Sequence, residues 1–124
     1  MRNIIKRLFI LLPVLVLSVL VLTGCEKSQE KYISNLENKG YTVEVLDNSS
    51  TVFALKATRT DEAGKYDYAY IYCFDSYEKC NEKFNEQKSD IARMKSLGLQ
   101  TDATVYQDGK AFYYGSPQGV QDCK

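Results

Sequence analysis

The 124-residue sequence contains no histidine, no tryptophan and only two prolines. Without histidine the chain cannot form a Ser-His-Asp or Cys-His catalytic group, an HExxH zinc site, or an imidazole acid–base catalyst working at neutral pH. It also lacks the acidic spacing of an EF-hand and the glycine-rich loop that binds phosphate. We therefore predict that the protein is not an enzyme, has no metal site and uses no cofactor.

The N-terminus has the three parts of a secretory signal. A basic head, "MRNIIKR", is followed by an apolar run from Leu8 to Leu22 and then by the small residues Thr23 and Gly24. A positive head, an apolar segment of this length and small residues at its end are typical of a signal peptide, which takes no part in the mature fold. The segment ends at Cys25, and charged residues follow at once.

The residues Leu22-Thr23-Gly24-Cys25 resemble the lipobox of bacterial lipoproteins. The resemblance implies a diacylglyceryl group on the Cys25 thiol and cleavage between Gly24 and Cys25. Each buried CH₂ contributes about 0.8 kcal/mol, and one acyl chain holds only marginally, so two or more chains are needed for a stable anchor. The expected location is the extracytoplasmic side of the cell membrane, with the membrane as a partner through the lipid anchor.

An uncut signal anchor is the alternative interpretation of the same segment. Residues 8–24 would form about 26 Å of helix, slightly less than the hydrocarbon core of about 30 Å. Both interpretations leave the basic head in the cytoplasm and the remainder of the chain outside.

Three segments follow from a lipobox: a signal peptide (1–24), a lipidated cysteine with a short tether (25–30), and a single α+β domain (31–124). Cleavage removes Arg2, Lys6 and Arg7, which leaves 13 basic against 16 acidic side chains. A net charge of −3 argues against nucleic acid as a partner, since nucleic acid requires a basic face. It also gives no electrostatic attraction to anionic lipid.

Local patterns predict the elements in the first half of this domain. A helix is expected to begin near Ser28 and to end at Lys39-Gly40. Alternating residues on both sides of the segment 47–50 indicate a hairpin. The stretch "YDYAYIYCF", Tyr66 to Phe74, is the strongest strand signal in the chain, because it is rich in aromatic and β-branched residues with a period of two.

The second half predicts a long helix, a hairpin and a short helix. Asp75 and Glu78 have capping-box spacing, and the apolar stripe that follows ends at Gly98. Asp108-Gly109 is expected to form a two-residue turn, and Ser116 is expected to cap a final helix. The order is therefore αβββαββα. It predicts an α+β fold, an antiparallel sheet with the helices mainly on one face in a two-layer sandwich.

Three cysteines remain besides Cys25: Cys73, Cys80 and Cys123. Their spacing contains no C-x-x-C pair and no four-ligand metal pattern. They are expected either to be buried as small apolar residues or to form one structural disulfide. The preferred pair is Cys80 with Cys123, because Cys73 could reach Cys80 only through a tight reversal between a strand and a helix.

The tyrosines are the main clue to function. In "YDYAYIYCF" the four tyrosines alternate with small residues, which suit close approach by a helix; a two-residue turn in the last hairpin puts Val105 and Phe112 inward. The predicted binding face away from the helices comprises Tyr66, Tyr68, Tyr70, Tyr72, Tyr106 and Tyr113. Tyrosine offers a broad contact area with a polar tip. The alternatives are an ordinary solvated sheet face, or a face that is itself core.

These features favour a binding or interaction module at the cell envelope. Its expected partner is another envelope protein, a peptide or a glycan. The alternatives are a structural or envelope-maintenance lipoprotein without a discrete ligand and, less favoured, a small enzyme that uses carboxylates or a thiol in place of histidine.

Overall fold

The computed structural model describes residues 25–124. The predicted signal peptide, with its cleavage-site residue Gly24, lies outside the described residues. Within them the elements follow one another as α1 (Gln29–Asn38), β1 (Thr42–Leu46), β2 (Phe53–Thr60), β3 (Tyr66–Cys73), α2 (Tyr77–Ser96), β4 (Thr104–Asp108), β5 (Ala111–Gly115) and α3 (Pro117–Cys123).

Serine side chains cap all three of these helices. The hydroxyls of Ser28, Ser76 and Ser116 each accept a hydrogen bond from the backbone N–H three residues later, which satisfies one of the unpaired amides of a first helical turn. Ser28 and Ser116 are the predicted caps. At α2 the cap is Ser76, one residue beyond the expected Asp75. Helix α1 begins two residues before the predicted domain boundary at residue 31.

The five strands form one antiparallel sheet in the order β1-β2-β3-β5-β4. The order αβββαββα and the α+β class are confirmed. Strand β3 lies at the centre, where Ile71 is opposite Leu55 of β2 and Tyr113 of β5. Both neighbours of β3 therefore add their side chains to the same two faces, because residues directly opposite each other share a face.

Helices α1 and α3 cover one face, which we call the first face. Its buried cluster includes Leu36 from α1, Val120 from α3, and Leu55, Ile71 and Tyr113 from the sheet. Leu36, Leu55, Ile71 and Tyr113 are all completely buried. At about 1.5–3 kcal/mol for each fully buried apolar side chain, this cluster supplies the main stabilisation of the fold.

The long helix α2 covers part of the opposite, second face. Cys80 of α2 is buried with Phe112 of β5 and Phe74, and the half-buried Phe84 and Tyr72 pack against them. Two of the three helices thus lie on the first face, while α2 lies over the second face near β4 and β5. Tyr72 is the residue of β3 that joins this cluster, and no residue of β1 or β2 belongs to it.

Helix α3 lies unusually close to the backbone of β3. The Tyr68 carbonyl oxygen accepts a hydrogen bond of 3.0 Å from the Ser116 backbone N–H. A Cβ atom built on either Gly115 or Gly119 would lie 2.1 Å from this oxygen. Only glycine permits such an approach, so these two positions determine how closely the final helix docks onto the sheet.

A polar network holds the same end of the molecule together. The Arg59 guanidinium lies 3.0 Å from the buried Asp67 carboxylate and 3.4 Å from that of Asp122 in α3. It also stacks 4.4 Å from the centre of the Tyr41 ring, whose hydroxyl donates to Asp122. The buried carboxylate is thus paired with a cation, as burial of a charge requires.

The close approach of α3 makes a specific prediction for Gly119→Ala. Replacing an exposed helical glycine by alanine ordinarily stabilises a protein by about 0.5–1 kcal/mol. Here the added methyl group meets a backbone oxygen, so we expect a loss of about 2–3 kcal/mol in the free energy of unfolding, the upper part of the range for overpacking. Chemical denaturation measures it.

Gln121→Ala is the matched control, because Gln121 lies in the same helix and is exposed. It should change the free energy of unfolding by no more than about 0.5 kcal/mol. A Gly119→Ala variant as stable as this control would show that α3 does not approach Tyr68 so closely.

Candidate binding surface

A row of tyrosines runs along the second face. Tyr66, Tyr68, Tyr70 and Tyr72 alternate along β3 with residues that are completely buried on the first face. The register with β5 places Tyr114 directly opposite Tyr70. We call these five residues the tyrosine ladder. The four tyrosines from β3 share one face, as their alternation predicts.

The rings of the tyrosine ladder form a continuous series. Ring centres are 5.9 Å apart for Tyr66 and Tyr68 and 6.3 Å apart for both Tyr68–Tyr70 and Tyr70–Tyr72. Tyr114 bridges the middle of the series, 6.2 Å from Tyr68 and 6.0 Å from Tyr70. All these distances fall within the range of favourable aromatic pairs. The contacts between the rings therefore hold the tyrosine ladder in a preorganised arrangement.

The tyrosine ladder is more exposed at its Tyr66 end than at its Tyr72 end. Tyr66, at one end, is 54% exposed, and the other four tyrosines are partly exposed. At the other end Tyr72 contacts the buried Phe112, with ring centres 5.1 Å apart. The Lys56 ammonium lies 5.8 Å from the centre of the Tyr70 ring. The surface thus combines ring faces, hydroxyl groups and one cation.

The Tyr68 hydroxyl remains protonated at neutral pH. Burial raises the pKa of Tyr68 to about 12, with a further contribution from the neighbouring Tyr114. A protonated hydroxyl can both donate and accept a hydrogen bond. The Tyr68 hydroxyl can therefore offer a partner hydrogen bonds without carrying negative charge.

At its covered end the ladder leads into a cleft below α2. The cleft has a volume of about 190 Å³. Tyr72, Phe74 and Phe112 line it from the sheet side, and Glu86 and Asp90 line it from the helix. Lys83 also lines the cleft, so this end of the ladder combines aromatic rings with side chains of both charges.

Two of the predicted face residues, Tyr106 and Tyr113, lie on the other side of the sheet. Tyr113 is opposite Ile71 and Tyr106 is opposite Tyr113, so both belong to the first face. Tyr113 is completely buried, and Tyr106 is 41% exposed. Their assignment to the binding face is wrong. Val105 and Phe112, which were expected to point inward beside Ile71, lie on the second face.

The reason is the register between β3 and β5. The two strands are separated by α2 and β4 in the chain, so no local turn determines which residues become opposite each other. The hairpin itself also turns at Gly109-Lys110, one residue later than predicted. The alternation in β5 shows which of its side chains share a face, but it does not show which face of the sheet each set occupies. Tyr114 is therefore the site residue that the sequence pattern missed.

Tyr113 makes polar contacts within the core. Its hydroxyl lies 2.6 Å from the Tyr32 hydroxyl and 3.2 Å from an oxygen of the Asp108 carboxylate, to which it donates. Burial raises the pKa of Tyr32 to about 12 and that of Tyr113 still further. These hydroxyls satisfy each other in the interior, as buried polar groups require.

The cysteines pair differently from the prediction. Cys80 and Cys123 are buried free thiols, and the expected bond between them is not formed. Cys123 belongs to the cluster on the first face and Cys80 to that on the second, so the sheet separates them. The disulfide instead joins Cys25 and Cys73, whose Cα atoms are 6.1 Å apart. Because one sulfur cannot hold both groups, this bond excludes the predicted lipid thioether on Cys25 while it is formed.

No cluster of three or more cysteine or acidic side chains suited to a metal ion occurs among residues 25–124. In the same part of the chain, none of the helices has the length and hydropathy needed to cross a bilayer. Comparison with protein-family models, with curated proteins and with solved structures finds no match for this chain.

Truncating a tyrosine should lower the free energy of unfolding by different amounts on the two faces of the sheet. Tyr113→Ala should lower the free energy of unfolding by about 3–5 kcal/mol, as truncation of a core aromatic does, and it also leaves the Tyr32 hydroxyl without its partner. Tyr70→Ala should cost only about 1 kcal/mol, because it removes ring contacts from a partly exposed site. Denaturant unfolding of both variants measures the difference; equal costs would contradict the assignment of the faces.

The free thiols should react slowly in the folded protein. Burial raises the pKa of Cys80 to about 11 and that of Cys123 to about 12, so the reactive thiolate is scarce at pH 8. We expect alkylation at both positions to be at least about tenfold slower than in the unfolded chain. Peptide mass spectrometry after timed alkylation measures each site, and rapid labelling of either thiol in the native state would contradict its burial.

Proposed function

We propose that this protein is a binding module held on the extracytoplasmic side of the cell membrane by a lipid anchor on Cys25, and that it captures its partner on the tyrosine ladder. The lipobox-like residues before Cys25 support the anchor. The partly exposed, ring-to-ring continuity of the ladder is the observation that carries the binding role. In the anchored form the Cys25 sulfur holds lipid, and Cys73 is a thiol.

The spacing of the rings favours an extended polypeptide as the partner. Successive tyrosines along β3 have ring centres about 6 Å apart, close to the repeat of about 6.6 Å for every second residue of an extended chain. A segment of another envelope protein lying along the ladder could therefore place every second side chain against a ring. The tyrosine hydroxyls, and Lys56 beside Tyr70, are suited to the polar groups of that segment.

Tyrosine also suits this role energetically. Its ring gives a large contact area, and only two side-chain torsions have to be fixed on binding. In the ladder the contacts between rings already restrict these torsions, so less conformational entropy remains to be lost when a partner binds.

A photo-crosslinking amino acid at Tyr70 tests the proposal in intact cells. With benzoylphenylalanine at this position, irradiation should give a covalent adduct with an envelope protein, because the residue lies at the centre of the ladder. The control carries the same group at Tyr106, which is also exposed but lies on the first face, and should give no such adduct. Gel mobility and mass spectrometry detect and identify the product.

Equal adducts at both positions, or none at either, would contradict binding on the ladder. An adduct confined to the Tyr70 position that contains sugar and no peptide would show that the partner is a glycan. The anchor is tested separately in the same cells: Cys25→Ser should abolish the diacylglyceryl adduct and block cleavage before residue 25. Unmodified full-length chain as the main species would contradict the anchor.

A further inference from the structure

The end of the domain at which β3 finishes has exposed apolar residues close to Cys25. The Val52 backbone N–H donates a 2.7 Å hydrogen bond to the Cys73 carbonyl, so Val52 lies directly beside the last residue of β3. Val52 is 50% exposed, and Tyr77, the first residue of α2, is 52% exposed. We call this region, with Cys25 and Cys73, the anchor end.

The chain between Cys25 and α1 has little freedom. Lys27 donates to the carbonyl of Cys123 at 3.0 Å and to that of Lys124, and its ammonium lies over the Tyr32 ring. Ser28 caps α1. The predicted tether is therefore held against the domain by these contacts as well as by the bond from Cys25 to Cys73.

The short reach of this segment limits the orientation of the domain. Two residues separate Cys25 from Ser28, so the Cα atoms of Cys25 and Ser28 lie at most about 11 Å apart when the chain is fully extended. Strand β3 alone, with eight residues, is about 26 Å long. Even when Cys25 carries lipid instead of the bond to Cys73, this segment is too short to bring the Tyr66 end of β3 to the membrane in place of the anchor end.

We propose that the anchor end is a membrane-contact surface, on which Val52 and Tyr77 rest in the headgroup region while β3 and its tyrosine ladder lead away from the bilayer. The proposal rests on attachment at Cys25, and both interpretations of the N-terminal segment place the membrane there. Tyrosine is suited to a membrane interface, because its ring is apolar and its hydroxyl is wet.

This contact is apolar and does not depend on lipid charge. The basic side chain of Lys79 in the first turn of α2 is paired with Asp75 at 3.1 Å, and the mature chain has an acidic balance. Lys83, which lines the same cleft as Val52, is paired with Glu86 at 3.4 Å. The basic side chains beside Val52 are therefore offset by carboxylates, unlike a polybasic segment that binds anionic headgroups. The result of the contact is to point Tyr66, at the opposite end of β3, away from the membrane and toward partners in the envelope.

Tryptophan fluorescence tests the orientation without background, because the chain contains no tryptophan. Lipidated protein cleaved before Cys25 and carrying Val52→Trp is reconstituted into phosphatidylcholine vesicles with and without brominated acyl chains. The matched control is Leu97→Trp, since Leu97 is 71% exposed and follows the other end of α2. Tyr77→Trp provides a second variant at the anchor end.

We expect bromolipid to quench the Val52→Trp and Tyr77→Trp proteins at least about twofold more strongly than the Leu97→Trp protein. Replacing part of the lipid by phosphatidylglycerol should leave this ratio unchanged. Equal quenching of all three variants in protein that sediments with vesicles would overturn the orientation alone. Failure to sediment, together with absence of the diacylglyceryl adduct, would overturn the anchor and the orientation with it.

Discussion

The pairing of β3 with β5 is the contact on which the arrangement of this protein depends. Ile71 lies opposite Tyr113, and Tyr72 lies opposite Phe112. The first pair brings a tyrosine into the core beneath α1 and α3, and the second brings a phenylalanine beneath α2. Because α2 lies mainly over β4 and β5 on the second face, the tyrosines of β3 remain partly exposed beside it.

Local sequence signals identify the elements of this fold but not the faces of its sheet. Serine caps at Ser28 and Ser116, and the alternation of "YDYAYIYCF", depend on contacts within a few residues, so they can be interpreted from the sequence. The side of the sheet reached by Tyr113 depends on a register between strands far apart in the chain. A shift of one residue in that register exchanges the core and surface positions of a whole strand.

The same limit explains the cysteines. Burial of Cys80 and Cys123 follows from their places on apolar helix stripes, and both are buried. Their separation by the sheet follows from the placement of α1 and α3 on one face and α2 on the other, which helix patterns alone do not determine. Strand β3 connects the two proposed surfaces, because it carries the tyrosine ladder and ends at Cys73, beside Cys25.

The β3–β5 register separates a core tyrosine from a partly exposed tyrosine ladder, and nuclear Overhauser contacts between assigned side chains measure this separation. The Tyr113 ring should show contacts to the Ile71 methyl groups and to the Tyr32 ring, whose centre is 5.8 Å away. The Tyr114 ring should instead show contacts to the rings of Tyr68 and Tyr70. Contacts from Tyr113 to Tyr70, with Tyr114 beside Ile71, would show that the two faces are reversed and that the register is wrong.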